Sequence, residues 1–397
     1  MRINTGYVKV GETAKKLMKD VLDSSRISCG KYVHQFEKIY AKKHNVKYAI
    51  AVGSGTEADL IALLVLKETG VLKDGDKVLC PATVFVSVAN AIVYAGLTPI
   101  FVDGDPFNMD LNEVKKAIDE FDIKAIIAVH FSGLPLDMER LKVIAGDIPI
   151  IEDCACAHGA IANNKITGSI GLLSTWSLYV AHIVTAGGGG VIGTNDANLA
   201  EMAYSLRAYG RSCTCQPCVI NISGGICTKR FKNGVDTRFS YNRIGLHSRM
   251  TEMEAVIGID QMEIYDEIID ARVANFAYVK DMLSDYIPKD FVTFPFISKD
   301  GFKISPISFP IILADHIDRS KMMNYLEKAG IETRNLFCCI PKEPVYKAIC
   351  AENCDKEYKN ASIIDKKGFY IGIHQGLTNN DLNFIIDSIT NALKEAS

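Results

Sequence analysis

The sequence has no surplus of charge of either sign, no long apolar run and no repeat. Of 397 residues, 44 are Lys or Arg and 47 are Asp or Glu, a formal net charge of -3 at pH 7. That balance supplies no basic field for nucleic acid or for an anionic membrane surface. No apolar stretch reaches the roughly 18 residues that a membrane span needs. The opening residues, Met1-Arg2-Ile3-Asn4-Thr5-Gly6-Tyr7, lack the apolar core of a secretory signal. A cytoplasmic protein is therefore expected. With 48% hydrophobic and 23% charged residues and no low-complexity tract, the chain reads as globular. It is long enough to hold more than one core.

Cysteine is the residue in excess, with twelve copies. Without a secretory signal, ligation or simple burial explains them better than a disulfide framework. Cys29 and Cys80 stand alone and read as small core residues. Cys213, Cys215, Cys218 and Cys227 instead form a C-x-C-x2-C-x8-C cluster, and Cys154 and Cys156 follow directly on Asp153. Four thiolates suit either a [2Fe–2S] cluster or a structural zinc ion.

Between about residues 48 and 195, β-rich runs alternate with helical patterns. Strands are expected at 77–80, 99–102, 125–129 and 149–151, and helices at 57–68 and 111–121. Such alternation predicts βαβ units in a mostly parallel sheet, with ligands gathered at the carboxyl ends of the strands. Residues 209–250, rich in Gly, Cys, Arg and Asn, break the rhythm as an irregular excursion, and long irregular loops are usually functional. A long helical pattern resumes at Thr251. The remainder mixes a strand at 304–312 with a helix at 320–329. The expected organisation is a large domain over 1–265, carrying the excursion, and a smaller α/β domain over 266–397.

Four segments carry chemistry. Ser54-Gly55-Thr56 precedes a helix, where free amides bind anions, although a plain Ser cap fits the same residues. Phe85 suits either a core position or stacking on a planar ring. Asp153 ends an apolar strand, where a carboxylate can hold a pyridine nitrogen protonated or cap a helix. The fourth is Trp176-Ser177-Leu178-Tyr179-Val180-Ala181-His182, followed by the run Gly187–Gly190. An imidazole at His182 can move a proton near neutral pH.

In this order, and with Gly245-Leu246-His247-Ser248-Arg249-Met250, the set resembles the sugar aminotransferases of the DegT/DnrJ/EryC1/StrS type over nearly the whole chain. The resemblance implies the fold-type I architecture of pyridoxal phosphate (PLP) enzymes and a homodimer with active sites at the subunit interface. It also implies that Gly55, Thr56 and Ser177 bind the cofactor phosphate and that Asp153 pairs with the pyridine nitrogen. The family normally has a lysine, which carries PLP as an imine, where this chain has His182. Lys165 lies well upstream, outside the motif. His247 stands where the family usually has an asparagine reaching the partner subunit's cofactor phosphate.

A histidine in place of the lysine is similar to the sugar 3-dehydratase subgroup, which uses pyridoxamine phosphate (PMP). The expected reaction is C3 dehydration or deoxygenation of a nucleotide-linked 4-keto-6-deoxyhexose, with His182 as the base. Two kinds exist. The iron–sulfur kind, which acts on CDP-4-keto-6-deoxyglucose, adds a [2Fe–2S] cluster fed by a flavin/iron–sulfur reductase. Its ligands come from just after the aspartate and from the excursion, which implies Cys156, Cys213, Cys215 and Cys227, with Cys154 and Cys218 as alternatives. The colitose kind regenerates PMP with glutamate and needs no cluster. A non-catalytic protein with a zinc-bound partner loop is the third reading.

Overall fold

The computed structural model describes residues 2–287, 289–349, 354 and 356–396. Short runs rich in Val, Ile and Ala form a central seven-stranded sheet: β1 (Tyr48–Val52), β2 (Lys77–Pro81), β3 (Thr98–Val102), β4 (Ile123–Val129), β5 (Ile150–Asp153), β6 (Leu173–Ser177) and β7 (Gly190–Thr194). The spatial order is β1-β7-β6-β5-β4-β2-β3. β7 runs antiparallel to both neighbours, and the other pairings are parallel. Helices cover both faces, so nearly continuous apolar strands are stable here. Because six strands share one direction, Val52, Pro81, Val129, Asp153 and Ser177 all end on the same edge. The site is built on that edge.

The helices that frame the sheet include α1 (Glu12–Asp23), α2 (Lys31–Lys43), α3 (Gly55–Glu68), α4 (Ala197–Leu206), α5 (Glu252–Glu263) and α6 (Tyr265–Tyr286). The helical pattern expected from Thr251 is two helices, broken at Ile264, whose φ of -107° and ψ of 19° leave the helical region. α5 begins with a capping box in which Thr251 and Glu254 satisfy each other's backbone. Its buried acids then serve other helices. Glu252 accepts hydrogen bonds from the Gly30, Tyr32 and Val33 amides at 2.8–2.9 Å. Asp260 accepts from the Gly11 and Ala14 amides at 2.9 and 3.1 Å. The N-caps of α1 and α2 are glycines without side-chain caps, so these carboxylates satisfy donors that would otherwise be orphaned, at the positive ends of the two dipoles.

A second sheet contains β8 (Phe291–Val292), β9 (Ser308–Leu313), β10 (Thr333–Asn335) and β11 (Gly368–Gly372) in the order β8-β9-β11-β10, antiparallel throughout. It is covered by α7 (Arg319–Ala329) and α8 (Asn379–Ala396). The strand expected at 304–312 starts only at Ser308. Pro306 interrupts it, since proline donates no ladder hydrogen bond, and the Ser305 and Ile307 amides bond instead to Gly133 and Ser132 of the first lobe. The chain crosses between lobes elsewhere too. Ile3 exchanges backbone hydrogen bonds with Gly330 and Glu332, at 2.8 Å each. Cys339, Ile340, Tyr346 and Tyr358 pack into the core of the first lobe.

Residues 209–250 are irregular apart from a short helix at Val219–Ser223, a hairpin pairing Phe231–Lys232 with Val235–Asp236 and a 3-10 turn at Thr237–Phe239. Among the described residues no helix is long and apolar enough to cross a membrane. The capping role of α5 gives a stability prediction. Glu252→Ala strands three buried amides and should lower the unfolding free energy by about 2–4 kcal/mol in urea denaturation. A loss below about 0.5 kcal/mol, the size of an ordinary surface substitution, would show that these bonds do not hold α2 in place.

Candidate active site

A cavity of about 640 Å³ opens at the carboxyl edge of the large sheet and is closed on its far side by the second lobe. Its first corner is the start of α3. Ser54 caps the helix, its Oγ accepting from the Glu57 amide at 3.1 Å. Gly55 and Thr56 occupy the first turn, where amides have no intrahelical acceptor, and both line the cavity. Gly55 is required by a close approach: a Cβ there would lie 2.7 Å from Cβ of Ser177. Gly55, Thr56 and Ser177 therefore converge on one anion-binding corner.

The floor carries two carboxylates. Asp153, at the end of β5, is 5% exposed and accepts the Ala155 amide at 2.8 Å. Burial pushes its carboxyl up to about 6. Asp59, from the second turn of α3, is 3% exposed and accepts the Thr175 hydroxyl at 2.6 Å. Burial, and then the nearness of Asp153, push its carboxyl well above the usual range. Thr175 pairs directly with Asp153 across β6 and β5. Asp59 has no counterpart among the sequence-predicted residues. Its signal was its spacing, three and four residues beyond Thr56 and Gly55, which places all three on one helix face.

Phe85 lines the cavity and is 61% exposed, whereas its neighbour Val84 is buried. Its core alternative is thereby removed. The second lobe contributes Ser308, Arg334, Phe337 and Tyr370. Arg334 is paired with Glu332 at 2.8 Å.

His182 sits in the loop after β6, its backbone amide bonded to the Tyr179 carbonyl at 2.9 Å. The ring lines the cavity, with Nδ1 4.0 Å from Sγ of Cys156. Burial pushes the imidazole down to about 4; the Ala155 carbonyl opposes this, and the Arg272 cation adds to it. At neutral pH His182 is thus an uncharged base. No lysine lines the cavity among the described residues. Lys165 faces outward, 3.7 Å from Glu139. His247 lies outside the cavity of its own chain, exposed, with its ring stacked on Tyr209 at 5.0 Å between centroids.

The cysteines divide. Cys154 is fully buried in the core, and Cys156 lines the cavity beside His182. Cys213, Cys215 and Cys218 line a separate cleft of about 170 Å³, together with Arg207, Arg238 and Arg249. Burial and the Cys213 thiol raise the Cys215 thiol, with Cys227 acting in the same direction. Cys29, expected in the core, borders this cleft half-buried, whereas Cys80 is a core residue as expected. The set Cys156, Cys213, Cys215 and Cys227 is therefore distributed over two places in this chain. Among the described residues, the one trio of His, Cys, Asp or Glu ligand atoms within 4.8 Å of one another is His130, Glu152 and Cys154. There Glu152 is already engaged by His130 at 2.9 Å and by the Gly168, Ile170 and Gly171 amides.

Comparison with known proteins agrees with this geometry. The lipopolysaccharide biosynthesis protein RfbH of Salmonella typhimurium is 30% identical over 394 residues, 95% of this chain and 88% of that protein. The GDP-4-keto-6-deoxy-D-mannose 3-dehydratase of Yersinia pseudotuberculosis is 31% identical over 389 residues, 94% of each chain. The solved E. coli GDP-4-keto-6-deoxy-D-mannose 3-dehydratase with bound hydrated PLP superposes with a TM-score of 0.85 at 26% identity, covering 98% of this chain and 99% of that one. The expected fold-type I architecture is thereby established. The family model for DegT/DnrJ/EryC1/StrS aminotransferases matches residues 8–390, and the chain belongs to that family.

Proposed function

We propose that this protein is a PMP-dependent sugar-nucleotide 3-dehydratase acting at C3 of a nucleotide-linked 4-keto-6-deoxyhexose. The observation that carries the reading is a cofactor-sized cavity with an uncharged imidazole where a tethering amine would stand, and no lysine along its wall among the described residues. The residues present suit the cofactor. Gly55, Thr56 and Ser177 offer a phosphate corner, Asp153 and Asp59 are buried carboxylates facing the same space, and Phe85 presents an uncovered ring. When bound, the cofactor supplies an amine for the C4 ketone and a ring that takes up electrons.

The chain's own groups then divide the work. Asp153 holds the pyridine nitrogen protonated. His182 accepts the proton from the cofactor's C4′ carbon, and its lowered basicity keeps it free to do so across the neutral range. Phe85 covers one face of the ring against water. Arg334, on the opposite wall, supplies a positive charge for the anionic part of a sugar nucleotide.

We further read Cys213, Cys215, Cys218 and Cys227 as the main source of ligands for a [2Fe–2S] cluster served by a flavin/iron–sulfur reductase. Four thiols on one irregular excursion, three of them lining one cleft, support this. The reading includes a homodimer, in which exposed His247 is available to the partner subunit's cofactor. The glutamate-driven route without a cluster is favoured by one observation: Cys156 stands beside His182, apart from the excursion thiols.

Two measurements test this. His182→Asn should retain PLP, seen by its absorbance, while turnover falls about 10²–10⁴-fold; an unchanged rate removes His182 as the base. Anaerobic purification with iron and sulfide analysis should give roughly two of each per chain, as a [2Fe–2S] centre requires. A colourless protein, active with glutamate alone, would instead establish the cluster-free route.

A further inference from the structure

Buried acids in this protein fall into two groups. Glu152 takes four hydrogen bonds and lies against His130, and its carboxyl is held below the usual range. Glu37 accepts the Ala51 amide and pairs with Arg207. Glu252 and Asp260 cap two helices. Each of these charges is satisfied by the fold itself. Asp59 is different: among the described residues its side chain takes one hydrogen bond, from the Thr175 hydroxyl, and has no cationic partner. Its nearest titratable influence is another acid, Asp153, in the same cavity.

Two buried carboxylates side by side cannot both be ionised without a counter-charge, and a carboxylate in a closed interior needs several donors to be tolerated. The fold gives Asp59 one donor and no cation, so its carboxyl rests uncharged until a ligand group brings a positive charge beside it. Geometry fixes where that ligand group sits. Asp59 is one helical turn beyond Gly55 and Thr56, hence below the anion corner on the same face of α3. Thr175, which binds Asp59, is the cross-strand neighbour of Asp153. The two acids therefore approach one point from different elements, α3 and β5.

We propose that Asp59 is a second carboxylate for the cofactor's pyridine nitrogen, acting with Asp153 to hold that nitrogen protonated. This rests on the reading that the cavity binds a pyridoxal-type cofactor, and it adds a residue to it. A single carboxylate suffices to accept the pyridinium N–H. A second one behind it strengthens the hold of that nitrogen on its proton, so the ring stays protonated as an electron sink, and makes the cofactor harder to release when it is not covalently attached. With no lysine along the cavity wall among the described residues, non-covalent retention carries the whole burden.

The test uses the intact protein and two probes, PLP and its 1-deaza analogue, in which carbon replaces the pyridine nitrogen. Affinities are measured by equilibrium dialysis for the unaltered protein, Asp59→Asn and Asp153→Asn. The expected result is a tenfold or greater loss of PLP affinity in Asp59→Asn, with affinity for the deaza analogue within twofold of the unaltered protein. Equal losses for both probes, or no loss for PLP, would overturn the proposal and leave Asp59 as a support for Thr175. Should Asp59→Asn not fold, Asp59→Leu, which removes the buried charge altogether, serves the same comparison. Normal behaviour of Asp59→Asn with a PLP-specific loss in Asp153→Asn overturns the role of Asp59 alone. An unaltered protein that binds neither probe overturns the cofactor reading as well.

Discussion

The first turn of α3 lies so close to the end of β6 that a single methyl group at Gly55 would collide with Ser177. That contact is the constraint from which the cavity is drawn. It brings a helix start, with its unpaired amides, against the side chain at a strand end. It also fixes the rotation of α3, so that the residue one turn later, Asp59, points at Thr175 and the floor. The same closeness explains Gly190: a Cβ there would lie 2.4 Å from the Ser54 carbonyl oxygen. Anion corner and carboxylate floor are thus two outcomes of one packing distance.

Charge is handled unevenly across the molecule, and the unevenness follows use. Where acids only build the fold, as with Glu252 and Asp260 on α5, the backbone supplies enough donors to keep them ionised in the interior. Where they face the cavity, the interior leaves them short of partners and raises them. His182 is pushed the opposite way by the same physics, since burial disfavours its cation as it disfavours their anion. An uncharged imidazole and proton-hungry carboxylates thereby coexist in one space at neutral pH.

Much of this was legible in the sequence. The strands of the large sheet were readable because buried parallel strands are short uninterrupted apolar runs, and their ends then located Asp153 and Ser177. His182 was readable because the residues around it form an ordered series. What escaped was whatever depends on neighbours distant in the chain. Asp59 looks like an ordinary polar residue of a helix until Thr175 and Asp153 are placed beside it. Ile264 interrupts what periodicity alone presents as one helix, and Pro306 gave notice of a break inside a run read as a strand. The cysteines were counted correctly, but spacing does not show that Cys156 belongs to one cavity and Cys213 to another.

The crossing of the chain between lobes bears on how anything enters the cavity. Ile3 is laced into the second lobe beside Gly330 and Glu332, Thr83 of the first lobe bridges Cys339, and Ser305 and Ile307 are bonded to Gly133 and Ser132. Segments of each lobe are thus packed into the other, and a jaw-like swing would disturb these contacts as well as the joint. The protein is therefore less a hinged clamp than a laced pouch, with Phe85 and Tyr179 exposed at the rim of the single chain.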